Sequence, residues 1–258
     1  MKYYIVDAFA ENIFQGNPAG VCIMDHWISD EMMQKIAFEN NLSETAFAVK
    51  EGDSYHIRWF TPEYEIDLCG HATLASSYII HRFVEPSLEE IKFTSMSGEL
   101  KVKIEGEYFI LDFPVRMPET IEVDPQLEDI LGIKIKEVYL SRDIMVVVEE
   151  EEAIKELTPD FERLRNYHLG DGVIVTAKSE QYDFVSRCFY PKCGVNEDPV
   201  TGSAHCNLIP YWAEKLGKDT MQAKQVSERG GKLYCKLEGK RVKIGGSAVL
   251  YMIGDIQI

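Results

Sequence analysis

The chain is short of positive charge: 27 Lys and Arg stand against 43 Asp and Glu, a formal net charge of −16. Without a basic excess to displace the counterions of a phosphate backbone, nucleic acid is not an expected partner. No apolar run reaches membrane-spanning length, and the N-terminus, MKYYIVDAFA, alternates like a strand where a secretory signal would be basic and then apolar. The expectation is a cytoplasmic protein with no membrane partner. Paired cysteine spacing is also missing. Cys22, Cys69, Cys188, Cys193, Cys206 and Cys235 are scattered without a CxxC, which points to reduced thiols rather than a disulfide frame or a metal site. Neither GxGxxG nor GxxxxGK occurs, so no nucleotide-binding loop is present and no organic cofactor is expected.

What the chain does have is apolar content and an internal echo. With 258 residues and 45% hydrophobic composition it can bury a large core and form two domains. Two stretches stand out, DLCGHATLASSYII at Asp67 to Ile80 and VTGSAHCNLIPYW at Val200 to Trp212. In each, a turn of small residues runs into an apolar segment able to form a buried helix. That order presents free backbone N–H groups and the positive end of a helix dipole to whatever lies in front. Cys69, Gly70, His71 and Ala72 correspond to Thr201, Gly202, Ser203 and Ala204 at an offset of 132.

The echo extends further. Arg58-x-Phe60-x-Pro62 returns as Arg187-x-Phe189-x-Pro191, and Thr94, Gly98, Leu100, Lys103, Glu105 and Gly106 return as Ser227, Gly231, Leu233, Lys236, Glu238 and Gly239. A near-constant offset of half the chain indicates two equivalent halves, not a solenoid of short repeats. Pro114 to Pro118 is the expected linker. The division is therefore 1–117 and 118–258, with the last strand, 247–258, free to pack across.

In order, Tyr3 to Phe9 reads as a strand, and Gly16 with Asn17-Pro18 as a tight, exposed bend before the strand Ala19 to Met24, either an ordinary turn or one that lines a site. Ser29 is positioned to cap a helix carrying Met32, Met33, Ile36 and Ala37 on one side, and Thr158 to make the same step in the second half. Glu44, between Leu42 and Ala46, is either an exposed loop carboxylate or an inward acid suited to proton transfer; the residues alone lean to the former. His71, next to a helix start, is expected to stay neutral, and Cys69, at the start itself, to have its thiolate stabilised. Asp198 lies four residues before Gly202, close enough to reach the front of the second helix. Ser203 falls in that helix's first turn, where it can add a hydroxyl to an anion site. An Asp-Pro turn beside a capping serine is the plain alternative. If the halves face each other, both helix starts address one cleft suited to a small anionic metabolite.

Taken together, NPAGV, NLSETAF, RxFTP, LCGHATLA and EDPVTGSAH, in this order from Asp7 to at least Gly231, resemble the phenazine-biosynthesis PhzF-like isomerase family. The resemblance implies an α+β, diaminopimelate-epimerase-like fold of two pseudo-symmetric domains, each a barrel-like sheet wrapped on a central helix. It implies a homodimer and an isomerase resembling trans-2,3-dihydro-3-hydroxyanthranilate isomerase. It assigns the acid/base role to Glu44, reversing the reading of that residue taken alone. Asp198 and His71 would assist in holding or relaying the proton, with Gly70, Gly202, Ser203 and Cys69 at the substrate-binding turns. One departure is clear. Related amino-acid epimerases oppose two cysteines, and here Cys69 is opposed by Thr201, whose hydroxyl is far too weak an acid or base. Two-base racemisation through Cys69 and a non-catalytic metabolite-binding protein remain the alternative readings.

Overall fold

The structure, a computed structural model, describes all 258 residues. The chain divides into two compact units, Met1–Asp112 with Gly245–Ile258, and Phe113–Ile244. None of the helices is long and apolar enough to cross a membrane.

In the first unit the strand Lys2–Ala8 pairs antiparallel with Asn17–Met24 on one side and with Ala248–Asp255 on the other. Asn17–Met24 then pairs parallel with Glu44–Glu51, which pairs antiparallel with Ser54–Phe60. A second parallel step joins Ser54–Phe60 to Glu90–Ser95, and two antiparallel steps add Gly98–Glu105 and Tyr108–Pro114. The second unit repeats this scheme. Glu119–Thr120, Glu137–Leu140 and Ile144–Val147 are antiparallel, and Val173–Lys178 joins parallel. Phe184–Tyr190 follows antiparallel, Thr220–Gln225 parallel, and Gly231–Glu238 antiparallel. The strands Gly98–Glu105 and Gly231–Glu238 have the same length and stand 133 residues apart, so the sequence echo is an echo of strand register.

Side chains repeat as well. Arg58 holds both oxygens of Glu65 through Nε and Nη2 at 2.7 Å, and its guanidinium lies 5.2 Å from the Phe60 ring centre. Arg187 holds both oxygens of Glu197 at 2.7 and 2.8 Å and lies 5.1 Å from the Phe189 ring centre. A two-pronged ion pair laid on an aromatic face is a demanding arrangement, and only Arg supplies it.

Each unit has a central helix built for burial. In Gly70–Ile79 the buried polar residues return their hydroxyls to the helix's own carbonyls: Thr73 donates to Cys69, Ser76 to Ala72 and Ser77 to Thr73. No donor is stranded, so the helix can pack against the strands Lys2–Ala8, Asn17–Met24 and Glu44–Glu51. In His205–Leu216 the problem is Pro210, which cannot donate to the carbonyl of Cys206 four residues earlier. The Arg116 N–H supplies that bond instead, at 3.0 Å. The Trp212 ring stacks on Phe184, with centroids 5.7 Å apart, and donates its N–H to Thr176 Oγ1 at 2.9 Å.

The remaining helices behave as amphipathic covers. Ser29 caps Asp30–Asn40 through Met32 N–H, and Met33, Ile36 and Ala37 are buried, while Met32 is exposed. The expected cap at Thr158 lies elsewhere: Asp160 caps Phe161–Arg165 by accepting from Arg163 N–H. A carboxylate directly before the helix outcompetes a hydroxyl two residues earlier.

Candidate active site

The first unit assembles three of the expected residues at the start of its central helix. The strand that begins at Glu44 lies beside Asn17–Met24, in register Ala19 opposite Glu44. This brings the Glu44 carboxylate to the helix mouth, where Oε2 lies 3.2 Å from Nε2 of His71, the second helical residue. Glu44 is not an exposed loop acid: its side chain is 17% exposed, and Oε2 is buried against the His71 ring.

His71 is buried, and its charge departs from expectation. Burial opposes the imidazolium, but the coupling of the ring to Cys69 and to the Glu44 carboxylate outweighs it, and the pKa is raised well above the usual imidazole value. The expected neutrality rested on the helix dipole, which is worth less than a carboxylate at contact distance. Cys69 also departs. Burial, and then the Glu44 charge, raise its pKa, so the position at the helix start leaves it a thiol.

Glu44, Cys69 and His71 form a group whose ligand atoms all lie within 4.8 Å of one another. Cys69 Sγ lies 3.6 Å from Nδ1 and 4.0 Å from Nε2 of His71, within sulfur hydrogen-bond reach of the ring nitrogens.

A fourth residue completes the group. Asn17, read from the sequence as part of an exposed bend, is fully buried in its strand, with Nδ2 3.2 Å from His71 Nδ1. Of the expected bend residues Gly16 makes the turn, its φ of +66° and closeness to the Ala8 carbonyl admitting no side chain. The sequence left open that this loop lines a site, but not that Asn17 would be buried against His71.

In the second unit the expected residues sit around the turn before His205–Leu216. Ser203 precedes the regular helix: His205, Cys206 and Asn207 N–H groups bond to the carbonyls three residues back, so a tighter turn leads in. Asp198 ends the strand Val195–Asp198 and accepts the Thr201 hydroxyl at 2.6 Å. The buried Gln225 ties this turn down, accepting from Thr201 N–H at 2.9 Å and donating to the Asp198 carbonyl at 2.5 Å.

Arg142 was not anticipated. Its Nη2 reaches Ser203 Oγ at 3.3 Å and the fully buried Asp143 at 3.1 Å. Burial works against its charge, but Asp143 raises its pKa. Nothing in Ser141-Arg142-Asp143, a turn between two strands, distinguishes it from other surface turns in the sequence.

These two groups sit within a chain whose relatives are identifiable. The model of the phenazine biosynthesis-like protein family matches residues 6–254. A Pseudomonas aeruginosa protein named as an uncharacterized isomerase is 50% identical over all of this chain and 99% of its own. The crystal structure of a PhzF-family phenazine biosynthesis protein from Enterococcus faecalis is 54% identical, covers 100% of this chain and 99% of its own, and superposes with a TM-score of 0.99. A probable proline racemase from Agrobacterium radiobacter covers 100% of this chain and 93% of its own at 10% identity and a TM-score of 0.65, a likeness of fold alone. The architecture is the α+β, diaminopimelate-epimerase-like one, a strand-rich unit with a central helix used twice. The chain belongs to the phenazine biosynthesis-like protein family.

Proposed function

We propose that the protein is a cofactor-independent isomerase of a small carboxylic acid, in which Glu44 is the single acid/base. The observation that carries the reading is the Glu44 carboxylate, whose Oε2 is buried 3.2 Å from His71 Nε2. A carboxylate held this way keeps lone pairs available to a carbon-bound proton. Glu44 would break a C–H bond of the substrate, carry the proton as its own O–H, and return it to a different carbon of the same unsaturated system. No electrons are lost or gained, and no second base is needed. Asp198 and His71 assist in holding or relaying the proton. The turns at Gly70, Gly202 and Ser203 bind the carboxylate through backbone N–H groups.

Racemisation between two bases finds less support. Cys69 is a buried thiol, and its counterpart Thr201 already donates its hydroxyl to Asp198. The same proposal includes a homodimer, as the family resemblance implies, which light scattering on the eluted protein would check.

The test begins with carboxylate metabolites that raise the melting temperature, since a ligand bound only by the folded state stabilises it. Hits are then followed by NMR in deuterium oxide. The wild type is expected to exchange a carbon-bound hydrogen and move a double bond. Glu44→Gln is expected to bind the same ligand without exchanging it. Exchange by Glu44→Gln at the wild-type rate would sink the reading.

A further inference from the structure

Asn17 lies on the far side of the His71 ring from Glu44. The ring has two nitrogens, both enclosed: Nε2 faces Glu44 Oε2 at 3.2 Å, and Nδ1 faces the Asn17 amide at 3.2 Å. The Cys69 sulfur is a weaker and longer partner of both nitrogens, at 3.6 Å from Nδ1 and 4.0 Å from Nε2. The groups facing His71 are therefore one carboxylate from the strand Glu44–Glu51, one thiol from the helix start, and one neutral amide from the strand Asn17–Met24.

An imidazole nitrogen that carries a proton must donate, and one that does not must accept. When buried, either form left unpaired costs about 1–3 kcal/mol. A carboxylate or carbonyl at Nδ1 would serve only the protonated nitrogen, and an ammonium or backbone N–H only the bare one. An amide serves both, because a half-turn exchanges its N–H donor for its carbonyl acceptor. With Nδ2 toward Nδ1 the ring is the neutral tautomer, and its one proton sits on Nε2 facing Glu44. With Oδ1 toward Nδ1 the ring is charged, or has passed its Nε2 proton to Glu44.

We propose that Asn17 is a positioning residue that lets His71 change protonation state inside the closed site, by presenting Nδ1 with a donor or an acceptor as required. This deepens the reading of Glu44 and His71 as the reacting pair and rests on it. If Glu44 gains and loses a proton during turnover, the charge that favours imidazolium appears and disappears beside Nε2. Asn17 allows the ring to follow without a stranded nitrogen at the other end. The selective feature is that the residue is neutral and two-faced, so neither Asp nor Leu replaces it.

The test is a titration of His71 by ¹⁵N NMR of the full chain without substrate, its signal assigned by its loss in His71→Gln. Three proteins are compared: wild type, Asn17→Asp and Asn17→Leu. Asn17→Asp offers only an acceptor and is expected to raise the midpoint of His71 by at least about one pH unit, tenfold in proton affinity. Asn17→Leu leaves Nδ1–H only the weak Cys69 sulfur at 3.6 Å and is expected to lower the midpoint and to move the remaining proton between the ring nitrogens. Circular dichroism establishes which variants fold, and one folded variant suffices. If folded variants titrate like the wild type, Asn17 only fills space and the proposal is wrong, even where melting temperature falls. Because no turnover is measured, this result is separate from the Glu44→Gln exchange experiment. Inactive Glu44→Gln with shifted His71 titrations supports both ideas. Active Glu44→Gln with the same shifts removes the catalytic reading and leaves the amide's effect on His71 standing.

Discussion

Each central helix has a buried histidine in its first turn, and the two are driven in opposite directions. His71 is raised well above its usual pKa, whereas His205 is pushed down to about 4. Both are enclosed and both sit where the helix dipole disfavours a cation, so position on the helix is not what separates them. The neighbours are. His71 faces Glu44, while His205 donates from Nδ1 to the Thr201 carbonyl at 2.8 Å, lies against the Phe184 ring, and leaves Nε2 buried without a partner. One duplicated scaffold thus carries a titratable pair in one unit and a neutral, hydrogen-bonded turn in the other. On the proposed reading, the acid/base residue belongs to the first.

The sharpest way to break this comparison is to remove the acid from each unit in turn. Glu44→Gln is expected to lower the exchange rate on a carboxylate ligand by between about 10² and 10⁴, the usual worth of a positioned general base. Asp198→Asn is expected to lose less, because that carboxylate already accepts the Thr201 hydroxyl and the turn it organises is also held by Gln225. Equal losses in the two variants, read by NMR at saturating ligand, would mean that the base is not confined to the first unit.

The repeated arginines offer a comparison in stability. Arg58→Met should cost about 2 kcal/mol in urea unfolding, by leaving the partly buried Glu65 without its partner. Arg187→Met should cost about 4 kcal/mol, since Nη1 also donates to the carbonyls of Ile154 and Leu157, at 3.0 and 2.7 Å, and these are stranded as well. If Arg58→Met proves the more damaging, the first unit rather than the second depends on its arginine clamp.

How much of this could be read from the sequence follows the same division. The duplication was readable because strand register and the Arg-Phe device depend on side chains that few substitutes can replace, so both copies kept them. Glu44 was readable only through its motif. A glutamate between Leu42 and Ala46 carries no local sign that a parallel neighbour strand will aim it at a histidine. Arg142 was missed, and the burial of Asn17 against His71 was not foreseen, for a related reason: each lies in a turn-like sequence, and its contact is with a partner 61 or 54 residues away. The charge on His71 was misjudged because a dipole is visible in sequence and a contact is not.

The two histidines give the next prediction. His205 has a folded-state pKa below its unfolded value, so acidification protonates the unfolded chain first. The stability it protects is complete above about pH 6.5 and is lost as pH falls toward 4, a loss of up to about 3 kcal/mol for this group. In His205→Asn that part of the acid slope should vanish, as measured by urea unfolding at a series of pH values. His71 works the other way. Its contribution is complete below about pH 6.5 and is lost as pH rises through the raised folded-state value, so His71→Asn should differ most from wild type on the acid side. Matching slopes in the two variants would show that the opposed environments do not control these rings.

The smallest effect is expected at Cys69, and it decides between one base and two. A racemase of this fold would need the thiol to take or give a proton, and its removal would then cost as much as removing Glu44. Burial and the Glu44 charge instead keep Cys69 protonated, with its sulfur against the His71 ring. Cys69→Ala therefore deletes a packing atom of a 6% exposed residue. It should lower the melting temperature by the few degrees that about 1 kcal/mol represents in a chain of this size. The exchange rate should fall by no more than a few-fold. A loss in Cys69→Ala as large as that in Glu44→Gln would transfer the proton chemistry to the thiol and restore the epimerase reading.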